Sequence, residues 1–134
     1  MKYTELFIEG GKKGFLPAMK ILVKYHSVDP TAQNNNTFLW AAKNGHLHVL
    51  EWLWSLRLPE NGSFKIDSTQ RNNIAFIWAA RDGHLHVLKW LLTLSKEEGI
   101  AIDATSLGNA AYRYAAENDR HEVVEFLESI GAVP

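Results

Sequence analysis

The sequence predicts an all-α solenoid of about four stacked helix–turn–helix repeats with short hairpin connectors. Two observations carry that expectation. The stretch Phe38-Leu39-Trp40-Ala41-Ala42-Lys43-Asn44-Gly45-His46-Leu47-His48-Val49-Leu50-Glu51-Trp52-Leu53 returns as residues 76–91, where only Asp82 in place of Asn44 and Lys89 in place of Glu51 change the charge. Self-similarity at a period of roughly 20 to 50 residues marks stacked repeats. Within each copy the apolar residues also keep helical spacing. Phe38, Ala41 and Ala42 stand at i, i+3 and i+4, and Val49, Trp52 and Leu53 repeat that step, which places each set on one helix face.

Two weaker copies complete the series. Tyr112-Arg113-Tyr114-Ala115-Ala116-Glu117-Asn118-Asp119 leads into Val123-Val124-Glu125-Phe126-Leu127, and Gly14-Phe15-Leu16 opens the apolar spacing of the first copy. The markers Gly14, Gly45, Gly83 and Asp119 are separated by 31, 38 and 36 residues. Val28-Asp29, Ile66-Asp67 and Ile102-Asp103 each precede the following Trp/Tyr-Ala-Ala by a constant distance. The repeats therefore fall at about 3–35, 36–73, 74–109 and 110–134, in a single domain.

At these residues Ala-Ala-x-x-Gly-His-Leu-x-Val-Leu-x-Trp-Leu resembles the ankyrin repeat, a unit of about 33 residues built from a turn or hairpin and two antiparallel helices. The resemblance covers nearly the whole chain, from about Tyr3 to Ala132. It departs from the family where Thr-Pro-Leu-His is usual: those places read Asn36-Thr37-Phe38-Leu39, Ile74-Ala75-Phe76-Ile77 and Ala110-Ala111-Tyr112-Arg113. The resemblance implies partner binding through hairpin tips and the inner helix face on a concave side. This Trp-rich variant is also similar to arrays in proteins of intracellular microbes and large viruses.

Composition bounds the functional classes. The chain has 134 residues, 46% of them hydrophobic and 22% charged, with a formal net charge of −1, ordinary values for a soluble globular protein. Near-neutrality supplies no bulk attraction for nucleic acid or an anionic membrane. Charge is nonetheless graded: the four repeats carry +2, +1, −1 and −3, counting Lys and Arg against Asp and Glu. The absence of cysteine excludes disulfides, thiolate metal sites and cysteine nucleophiles. No run approaches the roughly 18 apolar residues of a membrane span, and Met1-Lys2-Tyr3-Thr4-Glu5 opens into no apolar stretch of the kind a secretory leader has. The expectation is a cytoplasmic monomer, or one acting in a host cytoplasm if it is a secreted effector.

Along the chain, residues 3–25 read as the first helix pair, with Gly10 and Gly11 in place of the alanines. First and last repeats are expected to be polar caps; Glu122, Glu125 and Glu128 supply that face in the last. Pro17 suits the start of a second helix. Asparagine tolerates positive φ, so residues 26–36 read as a connector with Asn34 and Asn35 at its tip. Gln70-Arg71-Asn72-Asn73 and residues 106–109 read likewise. Gly45 and Gly83 would end the first helices in the left-handed conformation, and Asp119 would have to adopt it or another turn. The extra length of the middle repeats lies at residues 57–63 and 95–99.

Several residues invite a functional role. Trp40, Lys43 and Asn44 stand at i, i+3 and i+4, as do Trp78, Arg81 and Asp82, and Tyr114, Glu117 and Asn118. Such a stripe is either a binding surface, since Trp, Tyr and Arg dominate interface hot spots, or packing between repeats. These nine residues, with Asn34, Asn35, Arg71 and Asn72, are the candidate contacts for a partner protein. Trp52, Trp90 and Phe126 are expected in the core, and Trp54, which has no aromatic counterpart, is expected to be partly exposed. His46, His48, His84 and His86 suggest a metal only superficially, because helical residues two apart do not face each other. His46 and His84 match the family's structural Gly-His instead. No catalytic constellation is present. A non-enzymatic, cofactor-free protein-binding scaffold is the expectation. A targeting or regulatory segment of a larger effector or enzyme, and a self-associating stack, are the alternatives.

Overall fold

The structure, a computed structural model, describes residues 2–30, 32–56, 70–98 and 106–131, and their side chains except at 32–36, 70–73, 98 and 106–108. Among these residues there are eight helices and no strand. They are α1 (Lys2–Lys13), α2 (Leu16–His26), α3 (Ala32–Lys43), α4 (Leu47–Ser55), α5 (Gln70–Arg81), α6 (Leu85–Glu98), α7 (Ser106–Glu117) and α8 (His121–Ser129). The chain forms two compact units, Met1–Asp67 and Ser68–Pro134. In the first, α1 packs on α2 and α3, and α3 packs on α4. In the second, α5 packs on α6 and α7, and α7 packs on α8.

Every first helix ends in the same way. Gly45 has φ 77 and Gly83 φ 81. The next amide bonds the carbonyl five residues back, His46 to Ala41 and His84 to Ala79, each at 2.9 Å. Gly45 and Gly83 themselves bond Ala42 and Ala80 at 3.2 Å. This is the Schellman arrangement, which satisfies carbonyls that the helix cannot. Asp119 takes the left-handed conformation as well, at φ 59, and Arg120 bonds Ala115 at 2.8 Å.

The predicted helix stripes form the cores. Phe7, Met19, Phe38, Ala41, Ala42, Val49, Leu50 and Leu53 are buried in the first unit. Phe76, Ala79, Ala80, Val87, Leu88, Leu91, Ala115, Val123 and Leu127 are buried in the second. Trp54 is buried too, at 7% exposure, with its ring 6.5 Å from that of Phe38. The expectation that it is partly exposed fails because the α3–α4 pair closes over it.

The structure departs from the sequence expectation at three further places. The stretches read as hairpin tips are helical: Asn34 and Asn35 lie within α3, Arg71 and Asn72 within the first turn of α5, and residues 106–109 within α7, where Asn109 keeps the positive φ of a turn, at 65. Asparagine ranks only modestly below better helix formers, so a buried stripe such as Phe38-Ala41-Ala42 carries the helix back through it. Residues 95–98 likewise continue α6; residues 57–63 lie outside the described residues. Gly10 and Gly11 are buried packing positions rather than marks of a polar cap. A Cβ at Gly10 would stand 2.7 Å from Met19 Cγ, and one at Gly11 would collide with the Thr37 methyl. The first repeat instead exposes Tyr3, Leu6, Phe15, Ile21 and Tyr25.

Candidate functional site

The residues after each left-handed turn work inside the fold. Phe15, His46 and Arg120 occupy the N-cap positions of α2, α4 and α8 with nearly identical backbone angles, and none makes a side-chain cap. His46 turns its ring over Gly14, and Nε2–H donates to the Lys12 carbonyl at 2.9 Å. A carbonyl can only accept, so that nitrogen carries the proton. Asn44 Nδ2 donates to the same carbonyl at 3.0 Å, and His48 Nε2 to the Gly14 carbonyl at 3.1 Å. In the second unit Arg120 Nε donates to the Arg81 carbonyl at 3.1 Å, with its aliphatic stem over Gly83. Lys12 and Arg81 each stand two residues before the turn, so one position joins a repeat to its predecessor in both units.

The His46 and His48 rings lie 6.0 Å apart, edge to face. They come together although helical residues two apart diverge, because His46 precedes the helix that holds His48. Each Nε2 is committed to a carbonyl, and the pair is a staple between repeats. No group of three metal-ligating side chains occurs among the described residues.

The aromatic stripe is half-buried at Trp40 and Trp78 and more open at Tyr114. In the first unit Lys12 Nζ sits 4.5 Å from the Trp40 ring centroid and Lys43 Nζ 5.8 Å from it. Two ammonium groups at the ring face are cation–π contacts. In the second unit Ile74, Ile77, Trp78, Ala110, Arg113 and Tyr114 line a cleft of about 190 Å³ between α5 and α7. The Arg113 guanidinium lies 5.8 Å from the Tyr114 ring. Two members of the predicted stripe thus meet in one cleft.

Other candidates lie apart or are engaged. Asn118 Nδ2 bonds the Tyr114 carbonyl at 2.8 Å. Arg81 and Glu117 are exposed at the ends of α5 and α7, and Asp82 follows α5, half-buried. The side chains of Asn34, Asn35, Arg71 and Asn72 lie outside the described residues. Lys12, Ile74, Ile77 and Arg113 were not expected. The signal for Ile74, Ile77 and Arg113 lies where Thr-Pro-Leu-His is missing, since Ile74 and Ile77 place apolar side chains at i and i+3 beside Trp78; Lys12 is the counterpart of Lys43, counted from Gly14 and Gly45.

A family model of ankyrin repeats, in three copies, matches residues 40–133. The chain belongs to the ankyrin-repeat family. Ankyrin repeats are generally protein–protein interaction modules, and the family is typically non-enzymatic. In this ankyrin-repeat chain the left-handed turns join the two helices of each pair, while His46 and Arg120 each bond a carbonyl of the pair before their own. No curated protein matches it at a significant level.

No described helix is long and apolar enough to cross a membrane. Ring contacts of Trp52 with Phe7, at 6.1 Å, and of Phe126 with Lys89 Nζ, at 5.8 Å, leave both half-buried between helices, as Trp90 also is.

Proposed function

We propose that the chain is a non-enzymatic protein-binding module and that its contact surface is the aromatic face of the first helices. The observation that carries this reading is the α5–α7 cleft, where Trp78, Tyr114 and two isoleucines surround an opening beside a guanidinium. An apolar side chain of the partner fits the cleft, and a neighbouring carboxylate suits Arg113. Trp40 with Lys12 and Lys43 offers similar chemistry in the first unit: an aromatic face under positive charge. Helices fixed by their neighbours lose little ordering entropy on docking.

Affinity capture from a cell lysate, read by mass spectrometry, tests the proposal. Wild type runs beside Arg113→Glu/Tyr114→Ser, two exposed positions whose change leaves the helical circular dichroism intact. Partners held by wild type and lost by the variant are the expected result. Equal retention by both proteins would overturn this placement of the surface.

A further inference from the structure

A second apolar opening lies in the first unit, on the far side of the first repeat from α3. Leu6, Gly10, Phe15, Ala18, Ile21 and Leu22 line a groove of about 350 Å³. Leu6 is 49% exposed, Phe15 56% and Ile21 52%, so the large side chains along it stand in solvent. Its polar lining is already occupied. Glu9 is paired with Lys13 at 3.2 Å, and the His26 ring stacks on Tyr3 with centroids 4.1 Å apart.

The repeat register explains why this face is apolar. Leu6, Phe15 and Ile21 are the counterparts of Thr37, His46 and Trp52, counted from Gly14 and Gly45. Those three seat the second repeat on the first: Thr37 against Gly11, His46 over Gly14, and Trp52 beside Phe7. In the second unit the counterparts Ala111 and Arg120 do the same work, Ala111 buried and Arg120 over Gly83. The first repeat thus carries docking side chains with nothing described against them.

The other terminal repeat does not offer the matching surface. Its Tyr112 stands where Phe7, Phe38 and Phe76 stand in the other repeats, and the hydroxyl donates to Glu128 Oε2 at 2.8 Å. Asp119 replaces the turn glycine, and Glu122, Glu125 and Glu128 are exposed. Setting Leu6 and Phe15 against these carboxylates would desolvate charge without compensation. The face within this chain that suits an apolar groove is the groove face of another molecule.

We propose that this face of α1 and α2 is a self-association surface, on which a second copy of the chain docks through the same residues as a two-fold pair. Such an isologous contact closes on itself and yields a dimer rather than a filament. Leu6, Phe15 and Ile21 of the groove, with Tyr3 (45% exposed) and Tyr25 (66% exposed, under the Lys24 ammonium) on the same two helices, offer roughly 500 Å² per copy and about 1,000 Å² per pair, which reaches the lower bound of a specific interface. Association is therefore of the weak, concentration-dependent kind. The monomer expected from sequence becomes the dilute limit of this equilibrium.

Sedimentation equilibrium across about 1 to 300 µM tests the pair, a range suited to an interface of that size. The wild-type average mass should rise from the 15.2 kDa of one chain towards twice that value and stop. Leu6→Glu/Ile21→Glu alters exposed positions, and it should weaken association by on the order of 100-fold because each carboxylate would be buried unpaired. Phe15→Ser guards against misfolding as the cause. It removes the apolar ring yet supplies the side-chain cap that α2 lacks, a stabilising change, so it should weaken the dimer while raising the melting temperature. A wild type that stays monomeric throughout overturns the proposal. So does a dimer that survives either variant, or growth beyond dimer that Glu122→Lys/Glu125→Lys abolishes, which would mark head-to-tail stacking.

Discussion

Gly14 shows how a single residue is constrained from two sides. Its φ of 79 is hostile to side chains, and a Cβ there would stand 2.7 Å from His46 Nδ1. Gly14→Ala therefore combines backbone strain with displacement of the His46 staple. The expected loss is about 2–3 kcal/mol, or roughly 10 °C in a thermal melt. Thr37 is the converse case. It is 1% exposed, and its hydroxyl oxygen has no hydrogen-bond partner. Thr37→Val keeps the methyl that packs on Gly11 and removes the buried polar atom, so urea denaturation should show a gain of about 0.5–1 kcal/mol. Tyr112 supplies a pH signature. Its hydrogen bond to Glu128, with some desolvation and the nearby negative charge, raises the phenol above the ordinary 10.0. A proton held more tightly in the folded chain contributes stability that is present below that ordinary value and is lost as pH rises through the folded one. Ultraviolet titration of wild type against Tyr112→Phe should show one phenol ionising late, and Glu128→Gln should bring it back down.

At the scale of the element, the turn between paired helices is the conserved mechanical part within this chain. The Schellman bonds recur at Ala41, Ala79 and Ala115 with lengths between 2.8 and 2.9 Å. Three turns have glycine and one has Asp119, which holds the same left-handed backbone at φ 59. Asp119→Gly should relieve that position and stabilise the α7–α8 pair by about 0.5–1 kcal/mol, seen as a rise of a few degrees in melting temperature. The following residue forgoes a local helix cap and sends its side chain to the preceding repeat instead. His46 and Arg120 find carbonyls there, whereas Phe15 meets solvent. Helix starts were less legible than helix ends. A left-handed glycine is a backbone requirement that sequence displays directly, but an asparagine run fits both a turn and a first helical turn. The buried faces of α3 and α5 decided for helix.

At the scale of the molecule, stability resides in contacts between neighbouring helix pairs, as in other repeat arrays. Removing one staple should therefore act locally. In His46→Ala, amide hydrogen exchange in α1 and α2 should quicken by roughly tenfold or more while α7 and α8 keep their protection. Uniform acceleration along the chain would show instead that the two compact units unfold together. The terminal repeats differ in kind: one presents carboxylates and a hydrogen-bonded tyrosine, the other leucine, phenylalanine and isoleucine. That difference separates binding through the aromatic cleft from self-association through the α1–α2 groove, because variants of Arg113 and Leu6 touch different faces.

Sequence alone determined the repeat, its period, the helix stripes and the turn glycines, because periodicity and backbone sterics are local properties written in residue order. It also marked Trp40, Trp78 and Tyr114 as equivalent. Tertiary structure decided what those residues touch. Lys12 reaches Trp40 from 28 positions away, Ile74 and Arg113 meet across two helices, and Trp54 is buried by its partner helix. The apolar outer face of the first repeat belongs to the same class. A leucine at helical spacing reads alike whether it packs inward or outward, and only the placement of α3 against the other side of α1 shows that Leu6 faces solvent.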